Sequence, residues 1–89
     1  MVRLFVRHEV ADFEDWKEVY DDFDDRRREM GVKDDAVFQA ATDPTDVTVW
    51  HDFQSLDDAR SFADSDDLEE AMDDAGVRGQ PSIWFTEPV

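Results

Sequence analysis

A strict alternation of side chains near the N-terminus constrains the fold of this chain more than any other feature. Residues 2–10 read VRLFVRHEV. One face of this segment carries four apolar residues and a histidine: Val2, Leu4, Val6, His8 and Val10. The other face carries charged residues and one aromatic residue: Arg3, Phe5, Arg7 and Glu9. Since side chains with a period of two point to opposite faces of a β-strand, this segment is predicted to be a strand.

Two stretches with helical spacing are predicted. The first begins at Asp12, an N-cap residue, and ends at Gly31, which suits a left-handed C-cap. The second begins at Ser55, which resembles a capping box with Asp58. The triplet Asp64–Ser65–Asp66 indicates a break and a restart of this helix before Gly76 ends it.

Three further strands are predicted, at about 35–42, 46–53 and in the segment SIWFTE. The tetrapeptide Asp43–Pro44–Thr45–Asp46 between the first two is a strong turn signal, so these two strands are expected to form an antiparallel hairpin. The short segment TVWHDF would then end the third strand, and FQS would lead into the second helix.

The resulting order, β-α-β-β-α-β, is that of the ferredoxin-like sandwich, an α+β fold. Its antiparallel sheet has the strand order 4-1-3-2, and both helices cover one face. The chain has 89 residues, which is enough for one hydrophobic core, so residues 1–89 are predicted to be a single domain.

Large apolar groups occur on both faces of the predicted sheet. Phe5 opposes Leu4, Trp50 opposes Val49, and Trp84 opposes Ile83. Because the helices cover only one face, the aromatic residues of the other face need a different cover. The prediction is a second copy of the chain, with two sheets facing each other in a dimeric α+β barrel. The alternative is that these residues lie at strand ends or under loops.

The net charge of the chain indicates a salt-rich solvent and argues against nucleic acid as a partner. There are 25 acidic and 9 basic residues, and the net charge is -16. Concentrated salt screens the repulsion within such a chain, which predicts a salt-adapted protein of an extreme halophile. An acidic mimic of nucleic acid or a cation buffer would need its acids on one face, whereas here they are spread along the chain. Binding to nucleic acid is not expected, because it requires a basic face.

Other features bear on location and metal binding. The run Arg26–Arg27–Arg28 is predicted to neutralise a helix C-terminus. Cysteine is absent, so neither a disulfide nor a cysteine-held metal is expected. No apolar run has the length of a signal segment or membrane span, and a cytoplasmic location without membrane contact is therefore expected.

Several segments are similar to the dimeric α+β barrel superfamily, which includes antibiotic biosynthesis monooxygenases and heme-degrading monooxygenases. The similar segments are VRHEVADFEDW at 6–16, AATDPTDVTVWHDF, FQSLDDARSF at 53–62 and SDDLEEAMDDAGV at 65–77. They resemble most closely an uncharacterised, cyclase-like branch. The resemblance implies the fold over nearly the whole chain, but this scaffold carries unrelated reactions.

The catalytic residues of two better-known branches are not reproduced. Heme-degrading relatives carry a tryptophan, a heme-ligating histidine and an asparagine. The first two of these positions hold Phe53 and Met72 here, and the chain contains no asparagine, so heme degradation is not expected. Cofactor-independent, quinone-forming monooxygenases use asparagine and tryptophan around the third strand, where this chain has Val49 and Phe53.

The residues predicted to carry chemistry are Arg7, His8 and His51. A histidine in an apolar barrel can move a proton if a partner holds its tautomer, and Asp52, Glu9, Arg7 and Tyr20 are the candidate partners. A histidine satisfied by a backbone carbonyl, and a salt bridge from Arg7 to Glu9 or to a dimer mate, are the structural alternatives. The predicted walls of a binding site are Phe5, Trp50, Phe53 and Trp84. Trp16 is expected in the core instead.

The sequence therefore favours a small cofactor-independent enzyme, monooxygenase-like or cyclase-like. It would bind a planar organic molecule, and a histidine would assist proton transfer while Arg7 stabilises the developing anion. No metal or other cofactor is expected. The alternative is a non-catalytic dimeric module that senses a ligand or is associated with stress. An open cavity holding Arg7 and a histidine would favour the enzyme.

Overall fold

A computed structural model describes every residue from Met1 to Val89 and shows an α+β fold. Its elements are β1 Val2–Val10, α1 Phe13–Asp22, α2 Asp24–Glu29, β2 Asp34–Ala40, β3 Asp43–Phe53, α3 Leu56–Ala63, α4 Asp66–Asp74 and β4 Val77–Thr86. The four strands form one sheet in the order β2-β3-β1-β4, and all neighbours are antiparallel. This is the predicted order 4-1-3-2 from the opposite edge, so the ferredoxin-like prediction is confirmed.

The helix boundaries follow from local hydrogen bonds that the sequence indicates. The side chain of Asp12 accepts a hydrogen bond from the backbone N–H of Asp15 at 3.0 Å, and Ser55 accepts one from Asp58 at 3.2 Å. Both satisfy backbone donors that have no partner in the first turn of a helix. Ser65 caps α4 in the same way, which confirms the predicted break between α3 and α4.

The first predicted helix is also divided, and this was not expected. It breaks into α1 and α2 at Phe23, whose backbone angles are φ -83° and ψ -2°. These angles lie near the helical region, and the break involves neither glycine nor proline, so the sequence carries no signal for it. The predicted end of the stretch is correct, since Gly31 adopts a φ of 103° just after α2.

The predicted turn at Asp43–Pro44–Thr45–Asp46 is wrong. The chain turns at residues 41–42, and β3 already begins at Asp43. Ala40 pairs with Asp43 whereas Gln39 pairs with Val47, so three residues of β3 bulge out between these pairs. A bulge tolerates Pro44, because the residue there need not donate to the ladder.

The last strand begins earlier than predicted, at Val77. It lies at the edge of the sheet and pairs only with β1. The register shifts between the pairs Arg7–Ser82 and Glu9–Arg78, which leaves three residues of β4 opposite one residue of β1. An edge strand with such an irregularity accommodates Gly79 and Pro81.

The core lies between the helices and one face of the sheet. The face of β1 that begins with Val2 is buried at every second residue through Val10, as the alternation predicts. Val47, Val49 and Phe53 of β3 are buried on the same side. Trp16 of α1 is 3 % exposed and packs in this core, as expected.

The opposite face of the sheet, called the open face below, is not covered within one protomer. It carries Phe5, Phe38, Trp50 and Trp84. Phe38 is 53 % exposed and Trp84 is 41 % exposed. The rings of Phe5 and Trp84 stack across neighbouring strands with centroids 5.3 Å apart. No helix of the structure is long and apolar enough to cross a membrane.

Candidate functional site

A cavity of about 50 Å³ lies between the sheet and the helices. Most of its wall is apolar and comes from β1, β3 and all four helices. Four polar side chains interrupt this wall: His8, Tyr20, Arg27 and His51. An apolar pocket with a few convergent polar groups is typical of a ligand site, so this cavity is the candidate functional site.

The strands set the distance between the two histidines. His8 pairs with Val47 and His51 pairs with Leu4, so four residues of β1 separate the two positions. At the rise of a strand this is about 13 Å along the sheet, too far for both to coordinate one ion. The structure contains no group of three or more histidine, aspartate or glutamate side chains that could hold a metal.

Arg27 is the centre of the polar network beside the cavity, although it is only 3 % exposed. Its Nη1 donates to Asp35 at 2.8 Å, and its Nη2 donates to Asp24 and to the backbone oxygen of Tyr20, both at 3.1 Å. Nη1 also lies 3.4 Å from Nε2 of His51. The guanidinium stacks on the Tyr20 ring with its carbon 3.7 Å from the centroid. These contacts fix the guanidinium in one orientation.

Asp35 supplies the anion that a buried arginine requires. The carboxylate accepts hydrogen bonds from Arg27, from the Tyr20 hydroxyl and from Arg28, the last at 2.8 Å. Burial alone would raise the pKa of Asp35, but the hydrogen bonds from Tyr20 and Arg27 outweigh burial and hold it below its usual value. Burial and the hydrogen bond to Asp35 raise the pKa of Tyr20, so the phenol stays protonated.

Four buried nitrogen atoms of residues that line the cavity have no hydrogen-bond partner. They are both ring nitrogens of His8, Nδ1 of His51 and Nε of Arg27. An unsatisfied buried polar group costs about 1–3 kcal/mol, and native proteins contain few of them. Three residues with such atoms around one small cavity indicate a place for a polar ligand.

Both histidines are neutral at pH 7. Burial lowers the pKa of His8 to about 4, and Asp46 opposes this only in part. Burial also lowers the pKa of His51 to about 4, and the positive charge of Arg27 acts in the same direction. A neutral imidazole has one donor and one acceptor nitrogen, so each histidine has a nitrogen that can form a hydrogen bond with a ligand.

The structure divides the residues predicted for the site between the two faces of the sheet. His8 and His51 line the cavity, whereas Arg7 lies on the open face and forms a two-pronged ion pair with Asp46, at 3.0 and 2.6 Å. One protomer therefore has no cavity shared by Arg7 and a histidine. The reason is that Arg7 and His8 are consecutive in β1 and point to opposite faces.

The four predicted wall residues are divided in the same way. Phe5 and Trp84 stack on the open face, where the Arg3 guanidinium covers Trp50 at 3.7 Å from its ring centroid. Phe53 lies on the helix side instead. It is fully buried against Phe62 and does not line the cavity.

Sequence reasoning missed the role of Arg27. The run of three arginines indicated a helix terminus, and Arg27 is indeed in the last turn of α2. The signal was its position: Arg27 continues the apolar stripe of Trp16, Tyr20 and Phe23 at helical spacing. A charged residue on such a stripe is buried and must be paired.

No protein-family model and no curated protein matches this chain. Solved structures match it over almost its whole length. A candidate antibiotic biosynthesis monooxygenase from Bordetella bronchiseptica is 16% identical with a TM-score of 0.83, and the match covers 99% of this chain and 96% of that one. SnoaB from Streptomyces nogalater, a cofactor-independent oxygenase, is 9% identical with a TM-score of 0.75, covering 99% and 94%. A conserved protein from Methanosarcina mazei is 13% identical with a TM-score of 0.75, covering 96% and 89%.

These similarities confirm the predicted resemblance at the level of the fold. The chain has the ferredoxin-like fold of antibiotic biosynthesis monooxygenases. A fold of this kind hosts many reactions, so the chemistry has to be argued from the cavity.

Proposed function

We propose that this protein is a small cofactor-independent enzyme, monooxygenase-like, that binds a planar organic molecule between the helices and the sheet. The observation that carries the proposal is the group of unpartnered nitrogens of His8, Arg27 and His51 around one apolar cavity. Burial of these groups opposes folding, and a bound ligand with polar atoms would satisfy them. The fold shared with SnoaB, a cofactor-independent oxygenase, supports the same reaction class.

The proposed chemistry needs only a base and molecular oxygen. A neutral histidine takes a proton from a carbon acid of the substrate or from its phenol tautomer. The resulting anion reacts at carbon with O₂, and the histidine returns the proton to give a hydroperoxide. Loss of water then converts a CH₂ group into a carbonyl, so that CH₂ and O₂ give C=O and H₂O. The oxidant is O₂ itself. A cyclase-like reaction would use the same proton transfer without oxygen.

Helix α4 provides the proposed entrance for the ligand. The present cavity is much smaller than the roughly 300 Å³ typical of an organic ligand site, so part of its wall has to move. None of the residues of α4 is buried, although Leu68, Ala71 and Met72 of this helix line the cavity. An element with so few buried groups opens at low cost.

The oxygen-uptake test uses His8→Gln and His51→Gln, which keep the charge at pH 7. Oxygen consumption is measured with an electrode over a panel of planar phenols and anthrones. The unchanged protein should consume oxygen with at least one of them, and each variant should lower the rate about a hundredfold, the usual contribution of a general acid or base. Glu18→Gln, at an exposed position of α1 outside the cavity wall, is the control and should not change the rate. Equal rates in all proteins would contradict the proposal.

A second variant tests the cavity itself. Val49→Ile adds one methylene group to a buried strand position that lines the cavity. Because the cavity offers room, the free energy of unfolding should change by less than about 1 kcal/mol, whereas oxygen uptake should fall at least tenfold because the ligand loses its space. Urea denaturation and the oxygen electrode measure the two effects. Unchanged uptake in a stable Val49→Ile protein would place the reaction elsewhere.

The second candidate function is a non-catalytic module that senses a ligand or is associated with stress. The small volume of the cavity favours it, since about 50 Å³ leaves little room for an organic substrate and an oxygen molecule together. Binding of panel compounds without oxygen uptake or other conversion would select this function.

We also propose that two copies pair through the open face in a salt-adapted dimeric barrel. Two features support pairing: the exposed aromatic residues, and the neutralisation of Arg3 by Asp52 and of Arg7 by Asp46. In a protein with a net charge of -16, a surface with internally paired charges is one on which two copies can meet. In this proposal the subunit interface contains four residues of the open face: Arg7, Phe5, Trp50 and Trp84.

A further inference from the structure

The guanidinium of Arg27 has one free donor in an otherwise complete set of contacts. Its two terminal nitrogens are held by Asp35, Asp24 and the backbone oxygen of Tyr20. Nε–H is buried and has no acceptor. Because the guanidinium is fixed by its other contacts, this N–H cannot rotate to find a protein partner and is available to a ligand.

The contact with Arg27 also assigns the tautomer of His51. Arginine has only donors, so Nε2 of His51, 3.4 Å from Arg27 Nη1, has to be the acceptor. The ring proton of the neutral imidazole is then on Nδ1, which is buried without a partner. His51 therefore presents a second free donor.

His8 differs from His51, because no donor occupies either of its ring nitrogens. Both are buried and unpartnered, and the ring packs beside Trp16 with centroids 5.6 Å apart. One of the two nitrogens is an acceptor in either tautomer. Among the unpartnered nitrogens around the cavity, the lone pair of His8 is the only one that can receive a proton.

We propose that Arg27 Nε–H and His51 Nδ1–H form an anion site, and that the cavity takes a planar molecule with a carboxylate, phenolate or enolate oxygen. His8 is the residue that accepts the proton. The role of His8 in this inference rests on the proposed function. The anion site is inferred from the two free donors alone. In the reaction, the site holds the oxygen on which negative charge develops when His8 removes the proton.

Surrounding charges decide which ligands reach this site. The protein as a whole is strongly acidic and repels anions, but salt screens this repulsion over a few ångströms. Inside the cavity the nearest cation is Arg27, and its partner Asp35 is already occupied by Tyr20 and Arg28. The site is thus selective for an anion in concentrated salt.

The test compares the binding of benzoate with that of benzamide, which has the same shape without the charge. Isothermal titration calorimetry is carried out at pH 7 in about 1 M KCl without oxygen. Benzoate should bind roughly tenfold to hundredfold more tightly, as expected for charge-assisted hydrogen bonds. Arg27→Lys keeps the charge beside Asp35 but removes Nε–H, and it should abolish the preference. Arg60→Gln, at an exposed position of α3 outside the cavity wall, should retain it.

Three results would overturn the anion site: equal affinity for both probes, no binding of either up to about 1 mM, or a preference that survives Arg27→Lys. If Arg27→Lys does not fold, His51→Phe carries the same comparison, since it removes the imidazole donor while Arg27 keeps its hydrogen bonds to Asp35, Asp24 and the backbone oxygen of Tyr20. Nitrogen-15 NMR of the histidines gives a separate readout: a proton on Nε2 of His51 would contradict the assigned tautomer. A preference for benzoate in a protein without oxygen uptake would keep the anion site and remove the proposed enzyme.

Discussion

Acidification from pH 7 toward pH 4 is expected to lower the free energy of unfolding by about 3 kcal/mol for each histidine. In the folded protein burial lowers the pKa of both His8 and His51 to about 4, whereas the unfolded chain has the ordinary value of 6.5. Between these two values the unfolded chain binds protons that the folded protein does not. Stability therefore falls as the pH decreases through this window and is fully present above 6.5.

The expected loss is large for a domain of this size, because small domains have only about 5–15 kcal/mol of stability. Protonation of the many surface carboxylates relieves repulsion and acts in the opposite direction, but it begins mainly below the histidine window. The loss carried by the histidines should thus be nearly complete close to pH 4, before carboxylate protonation contributes strongly.

Urea denaturation at a series of pH values, followed by circular dichroism, measures this effect. The variant with both His8→Gln and His51→Gln has no imidazole to protonate and is the matched control. Its stability should be nearly constant between pH 6.5 and about 4.5, while that of the unchanged protein decreases. Parallel curves for the two proteins would show that the histidines do not carry the pH dependence.

Trp84→Asp is expected to convert a dimer into a monomer. The Trp84 ring, on the edge strand β4, stacks on Phe5 on the open face and is 41 % exposed in one protomer. In the proposed dimer a carboxylate at this position would be buried without a partner, at a cost of several kcal/mol. The dissociation constant should rise roughly a hundredfold to a thousandfold.

Sedimentation in about 1 M KCl measures the mass of each protein. The unchanged chain should sediment at twice the protomer mass of 10.4 kDa, and Trp84→Asp at the mass of one protomer. Gln54→Asp makes the same charge change at an exposed position outside the strands and should remain dimeric. A monomeric unchanged protein would overturn the proposed pairing, and a dimeric Trp84→Asp would place the interface elsewhere.

Secondary structure and topology could largely be read from local signals. The alternation in residues 2–10 and the caps at Asp12 and Ser55 predict the elements, and short connections then leave few ways to arrange four strands. The predicted turn between the second and third strands is wrong because two signals of similar strength compete there. Pro44 marks a turn in most sequences, but here pairing of β2 with β3 continues past it and accommodates it in a bulge.

The candidate site could be predicted only in part. His8 was noticed because a histidine on an apolar strand face is unusual, and its face was correctly assigned. Arg7 is predicted in the site because it lies on a central strand, yet a carboxylate of the neighbouring strand pairs with it on the open face. Arg27 is predicted at a helix end because its neighbours are also arginines, whereas its position on the stripe of Trp16, Tyr20 and Phe23 is what buries it.

The sequence by itself determined which residues share a face of each strand, because the period of two is a property of the extended backbone. It also determined the acidic character of the surface and where most helices begin. Only the tertiary structure decided that Arg27 of α2, Asp35 of β2 and His51 of β3 meet beside one cavity. Their contact depends on strand register and on helix packing. Both are set by the whole core, so no local sequence pattern indicates them.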